Sequence, residues 1–184
     1  MAWLILGVLL WVAAHLFKRV LPGVRASMGK AGRGVVALAI VAGVVLMVIG
    51  YRSAELTYLY DLPLWVWHLN NLLMLIAVFL TGVGQAKGVI AAKLRHPMLT
   101  GVIVWAVAHL LVNGDVPSVI LFGGIGLWAI VEMLVINRAE GPWTPPAPGP
   151  IRKDLMVAAV SVVLYGLIAG VHYWLGRPVF GVPG

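Results

Sequence analysis

The chain contains no cysteine. Disulfides, Cys-type zinc sites, iron–sulfur clusters and thiol catalysis are therefore excluded. Charge is scarce as well: 10% of the 184 residues are Asp, Glu, Lys or Arg, against about 25% in an ordinary soluble domain. With 62% apolar residues, neither a water-soluble globular protein nor a disordered chain fits. Acidic residues are the scarcest charges, 6 against 13 basic, for a net charge of +7. In a soluble protein that surplus would point to nucleic acid; in so apolar a chain it is first a matter of membrane topology, and no nucleic-acid partner is expected.

What the sequence has in abundance is long apolar runs. A transmembrane helix needs about 20 mostly apolar residues. Six such runs extend approximately from Ala2 to Leu21, Val35 to Tyr51, Leu62 to Val83, Pro97 to Asn113, Val116 to Ile136 and Asp154 to Leu175. They are too long and too uniformly apolar for the alternating strands of a barrel, and lipid leaves a helix as the other solution. The expected fold is all-α, a single polytopic bundle over residues 1–184 with about six transmembrane helices, embedded in a lipid bilayer. The first run has no basic segment before it, and Lys18 and Arg19 follow it, so it reads as a true span rather than a signal peptide.

The basic residues sort by loop. Lys18, Arg19, Arg25, Lys30 and Arg33 fall between runs one and two, Lys87, Lys93 and Arg95 between three and four, and Arg138, Arg152 and Lys153 between five and six. Only Arg52 and Arg177 of the 13 fall on the other side. The positive-inside rule then places the odd-numbered connections in the cytoplasm and both termini on the outer, periplasmic side. Trp3, Tyr51, Tyr58, Tyr60, Trp65, Trp67, Tyr173 and Trp174 gather toward that outer surface, as an interfacial aromatic belt does. Residues 139–153 read as a cytoplasmic linker, stiffened by the prolines between Gly141 and Pro150. No internal repeat is evident.

Ionisable groups inside a bilayer are functional candidates by default. Of five histidines, His15, His68, His109 and His172 lie within the apolar runs, and His96 sits at the cytoplasmic mouth of the fourth. At about 1.5 Å per residue, His96 is at the surface, with His15 about 10 Å, His109 about 18 Å, His68 about 21 Å and His172 about 27 Å from the cytoplasmic boundary. Gly101, Trp105, His109 and Asn113 recur at i, i+4 and form one ridge of the fourth run, where Gly101 permits close helix approach. His68 and Asn71 share a face of the third, and Ser161, Tyr165 and His172 a side of the sixth. Glu132 is the one clear intramembrane carboxylate, with Arg138 as its nearest candidate partner.

A lone membrane histidine commonly does no more than hydrogen-bond a neighbouring helix. Several in one small bundle point further. Without cysteine, and with little carboxylate, the available metal chemistry is imidazole chemistry. Two histidines on different helices in an apolar interior suit b-type haem. Depth alone matches His68 with His109 best and leaves the pair open.

The stretch from Arg95-His96-Pro97-Met98-Leu99-Thr100-Gly101 through Trp105-Ala106-Val107-Ala108-His109-Leu110-Leu111-Val112-Asn113-Gly114-Asp115 resembles the signature of the NnrU family. The likeness continues at Phe122-Gly123 and Trp128, at Ala13-Ala14-His15, and at the C-terminal His172-Tyr173-Trp174-Leu175-Gly176 and Phe180-Gly181-Val182-Pro183. It covers nearly the whole chain. The resemblance implies a multi-pass protein of the bacterial inner membrane, linked to denitrification through nitrite and nitric oxide reduction. The family is also similar to plant 15-cis-zeta-carotene isomerase, which carries haem b on two axial histidines. That likeness places the two ligands on His15 and His109. His68, His96, Trp105 and Asn113 would then be pocket groups or supply partners for the ligands' second nitrogens. The plant enzyme has a cysteine three residues before its second ligand, where this chain has Ala106, so ligand switching through a thiolate is excluded. An isomerase reaction therefore does not transfer on the resemblance alone.

Three functions follow as expectations. The first is a haem-dependent redox or isomerase-type protein whose lipid-like apolar substrate enters from the bilayer. The second is a membrane methyltransferase using S-adenosylmethionine, because Arg95-His96-Pro97 with Gly101 also resembles a motif of isoprenylcysteine methyltransferases; the acidic and aromatic residues of their C-terminal cytoplasmic motif are replaced here by the proline-rich linker and Glu140. The third is a non-catalytic assembly factor for a reductase complex, with Gly123, Gly124 and Gly126 as its contact surface.

Overall fold

A computed structural model of the chain describes residues 1–177 and 179–180. Those residues are all-helical apart from connections and one isolated antiparallel bridge, Tyr58 with Asp115. The helices are α1 (Ala2–Val20), α2 (Pro22–Ser27), α3 (Ala31–Arg52), α4 (Val66–Ala86), α5 (Pro97–Val112), α6 (Val116–Glu140) and α7 (Ile151–Trp174), with a single 3-10 turn at Ile90–Ala92. Each expected apolar run is a helix. Five of them, α1, α3, α4, α6 and α7, are long and apolar enough to cross a membrane. The exception is α5. Its 16 residues span about 24 Å at 1.5 Å per residue, bounded by Pro97 at its start and the Gly114–Asp115 turn beyond its end.

The chain divides into two compact units, residues 1–61 with 113–142, and residues 62–112 with 143–184. In the first unit α1 and α3 run antiparallel, in backbone contact. A Cβ on Gly7 would stand 2.6 Å from the Met47 amide nitrogen, and one on Gly50 would strike the backbone of Leu4. Small residues let membrane helices approach this closely, where dispersion rather than hydrophobic exclusion supplies the attraction. α6 packs on α1 through Gly124, whose Cβ would meet Val8 at 2.8 Å. Gly124 and the buried Gly126 thus lie inside this unit, while Gly123 has open space around it. Arg19 and Glu140, at the C-terminal ends of α1 and α6, form an ion pair of 3.0 Å.

α6 begins with Asp115 as its N-cap. The carboxylate accepts the Ser118 amide at 2.9 Å and the Ser118 hydroxyl at 2.8 Å. A turn later the helix widens into a π turn at Val119–Gly123. The loop before α4 is pinned to the same corner: Gly114 O accepts from Leu59 N at 2.7 Å, and Thr57 O accepts from Val116 N at 2.9 Å. Tyr51, expected in the aromatic belt, instead reaches inward, 2.8 Å from the Ser118 hydroxyl. Trp3, Tyr58, Trp65, Tyr173 and Trp174 are exposed, as a belt requires.

In the second unit α4 runs antiparallel to both α5 and α7. A Cβ on Gly101 would lie 2.9 Å from Ala77 O, so this glycine does mark a close approach. α7 meets α4 at Gly82, opposite Val157. Asp154, in the first turn of α7, is buried and accepts the Val89 amide at 2.7 Å. The irregular segment between α6 and α7 is residues 141–150, and its Gly149 amide donates to Gly88 O at 3.3 Å.

Candidate functional site

Histidine geometry is set locally in both units. His15 is on α1, and its Nδ1–H donates to the carbonyl of Trp11 at 2.9 Å. His109 is on α5, and its Nδ1–H donates to the carbonyl of Trp105, also at 2.9 Å. Each ring lies against the tryptophan one turn earlier, with centroids 4.2 Å apart for His15 and 4.8 Å for His109. The shared five-residue pattern is Trp11-Val12-Ala13-Ala14-His15 and Trp105-Ala106-Val107-Ala108-His109. This recurrence escaped the sequence reading, although the tryptophan–histidine spacing was its visible signal. With Nδ1 committed to a carbonyl, the lone pair of a neutral imidazole sits on Nε2, the nitrogen a metal would take.

Around His15 the first unit gathers an unusual set of groups. Trp128 of α6 closes on the imidazole at 4.5 Å and meets Trp11 edge-on at 5.5 Å. The indole nitrogens of Trp11 and Trp128 are buried and have no hydrogen-bond partner among the described residues. Glu132, one turn beyond Trp128, is buried, and its Oε2 has none either. The expected pairing of Glu132 with Arg138 is therefore not made: Glu132 points into the unit, and Arg138 is exposed. Buried donors without partners are rare in folded proteins and usually mark a missing water, ion or ligand.

In the second unit His109 is near enough to His172 of α7 for the two imidazoles to interact electrostatically. His172 also donates through Nδ1, to Ile168 O at 2.8 Å, but has no tryptophan one turn earlier. The ridge expected through Asn113 stops at His109, because α5 ends at Val112 and the chain turns there into Gly114. Asn113 belongs with the first unit. The crowded Gly114, whose Cβ would strike Tyr60, and the capping Asp115 make the tail of that motif a structural corner.

His68 is exposed on α4. It lines a cleft of about 430 Å³ with Trp65, Trp67, Asn71 and Phe180. Asn71 donates to Val179 O at 3.1 Å. Tyr165 stacks edge-on against Phe180 at 5.9 Å. His96 precedes α5, and its carbonyl accepts the Thr100 amide and hydroxyl, both at 2.9 Å, so its backbone helps start that helix. Among the described residues no three His, Asp or Glu side chains are grouped to hold a bare metal ion. A bis-histidine haem needs only two.

A family model described as NnrU protein matches residues 3–179. The chain belongs to the NnrU family. The match runs through both units and takes in His15, His68, His96, Trp105, His109 and Asn113. Searches of curated proteins and of solved structures returned no match. In this NnrU protein, Gly181, Val182 and Pro183 of the motif noted at the C-terminus lie outside the described residues.

Proposed function

We propose that this NnrU-family membrane protein binds b-type haem, which His15 and His109 would hold. The observation that carries the reading is the duplicated Trp-x-x-Ala-His arrangement. In both copies the tryptophan carbonyl holds the Nδ1 proton, which puts the lone pair of a neutral imidazole on Nε2, the atom that would meet iron. The unpartnered indole N–H groups of Trp11 and Trp128 beside His15 fit a site that lacks a polar ligand atom. When bound, haem supplies one-electron chemistry or Lewis-acid activation of an apolar substrate reached from the lipid. Trp105, Trp11 and Trp128 hold the imidazole orientation and keep water away.

The charge asymmetry supports a bacterial inner-membrane orientation with six spans and both termini in the periplasm. In that setting the protein serves nitrite and nitric oxide reduction in denitrification, or a carotenoid-isomerase-like reaction. The methyltransferase reading has less support. The cleft beside Arg95 and Pro97 is lined by Lys87 and Arg95 and by no acidic residue, leaving a sulfonium cofactor without a counter-charge.

The test is spectroscopic. Expressed with sufficient haem and purified in detergent, the protein should show a low-spin bis-histidine spectrum. His15→Ala and His109→Ala should each convert it to a high-spin or haem-free form, and His172→Ala should leave it unchanged. The absence of a Soret band in the parent protein would defeat the haem reading. Loss of the low-spin signal in His172→Ala but not in His15→Ala would move the ligand pair to His109 and His172.

A further inference from the structure

The second unit has a cleft that the haem reading does not use. It encloses about 380 Å³ where α4 ends and α5 begins. Its charged lining consists of Lys87 and Arg95, with no acidic side chain. Trp143, Pro146 and Ala147 of the segment after α6 form one wall, and Leu94 and Pro97 supply further apolar surface. This wall is a strap anchored at its C-terminal end. Gly149 donates to Gly88 O, and a Cβ at Gly149 would strike the carbonyl of Lys87. Asp154, just past the strap, accepts the Val89 amide. Lys87 itself is left-handed, at φ 55°, which turns the chain sharply out of α4 toward the strap.

The electrostatics favour an anion. Two cationic side chains flank the cavity, and the N-terminus of α5 adds the positive end of its dipole. The C-terminus of α4 opposes this, and the Lys87 ammonium offsets it. Lys93 of the connection and Arg152 and Lys153 of the first turn of α7 belong to the same end of the unit, where the buried Asp154 is engaged by the Val89 amide. That end is the one the charge distribution assigns to the cytoplasm. A basic pocket among apolar helices on that side suits the phosphate of an acidic lipid, with the apolar lining taking the glycerol and upper acyl region.

We infer that the cleft between Lys87, Arg95 and Trp143 binds the phosphodiester headgroup of an anionic phospholipid. The phosphate sits between the two cations, and the proline-rich strap covers the headgroup. A freely diffusing phosphate would satisfy the same cations but would leave the apolar wall unused. The inference stands independently of the haem reading.

The experiment uses the full chain in detergent micelles doped with phosphatidylglycerol or phosphatidylcholine, with retained lipid counted by native mass spectrometry. The parent should retain phosphatidylglycerol in preference to phosphatidylcholine, and added inorganic phosphate should not displace it. At about 1 kcal/mol per cation, a Lys87→Gln, Arg95→Gln double variant should weaken retention on the order of 20-fold. Lys93→Gln with Lys153→Gln removes the same charge outside the cleft and should change retention by less than about twofold. Lys87→Arg with Arg95→Lys keeps the charge and should keep the lipid, separating a folding defect from loss of the site. Equal losses in both glutamine pairs would reduce the effect to diffuse surface attraction and overturn the inference. So would equal retention of the two lipids, or displacement by inorganic phosphate.

Discussion

The imidazole of His15 lies against the indole of Trp128, with ring centroids 4.5 Å apart, and the buried N–H of that indole has no partner. The two residues are more than 100 positions apart in sequence, and only packing of α6 on α1 makes them neighbours. An unsatisfied buried donor costs about 1–3 kcal/mol, so the protein alone gains nothing from this N–H. Trp128→Phe should therefore cost the apoprotein little beyond a small packing defect. If the N–H serves a bound ligand, haem transfer to apomyoglobin should become roughly fivefold easier, equivalent to about 1 kcal/mol. Unchanged haem retention would separate the indole from the ligand site.

The corner at Asp115 should matter for stability rather than for ligand binding. Asp115 caps α6, and Ser118 links it to Tyr51. Asp115→Ala should destabilise the first unit by about 1–2 kcal/mol through the lost cap, and Tyr51→Phe by about 1 kcal/mol. Unfolding in a denaturing-detergent titration measures both. The spectrum of any bound haem in the surviving folded fraction should not change.

The α1–α3 contact predicts a steep size dependence. Gly50→Ala would place a methyl on the Leu4 backbone, and backbone cannot give way as a flexible side chain can. A cost of about 1–3 kcal/mol is expected from overpacking. Gly34→Ala, on the same helix with open space around it, should be neutral or stabilising by up to about 1 kcal/mol through helix propensity. The same titration distinguishes them.

Tyr60, in the loop between α3 and α4, has a phenol pushed above its ordinary value of 10.0, chiefly by burial and secondarily by the charge of Asp115. The folded state thus holds the phenolic proton more tightly than the unfolded chain. The corresponding stability is fully present below pH 10.0 and is lost as pH rises through the folded value. Alkaline absorbance titration of the parent against Tyr60→Phe should show one late-ionising tyrosine. Asp115→Asn should bring it down only in part, because burial is the larger cause.

The sequence identified His15 and His109 as candidates, and the structure shows their side chains held alike. The i, i+4 spacing that puts Asn113 on the α5 ridge presumes that the helix continues. The helix stops at Val112 because Gly114 and Asp115 turn the chain and cap the next one. Reach along one helix pairs Glu132 with Arg138, but burial of its carboxylate within the unit takes it out of that reach. The cleft at Lys87 and Arg95 had no sequence signal beyond its charges, because its wall comes from a segment some 50 residues further along the chain.

By itself the sequence determined that the chain is helical, where the apolar helices run and which connections carry the positive charge. Those properties depend on apolar length, backbone satisfaction in lipid and local composition, and each can be read along one segment. The tertiary structure decided the grouping of the helices into two units, the indoles left unpartnered beside His15, the corner that Asp115 caps, and the strap over the basic cleft. Those depend on which helix faces meet. Glycine contacts such as Gly7 with Met47 and Gly101 with Ala77 settle that through close packing, a pairwise property that no single segment contains.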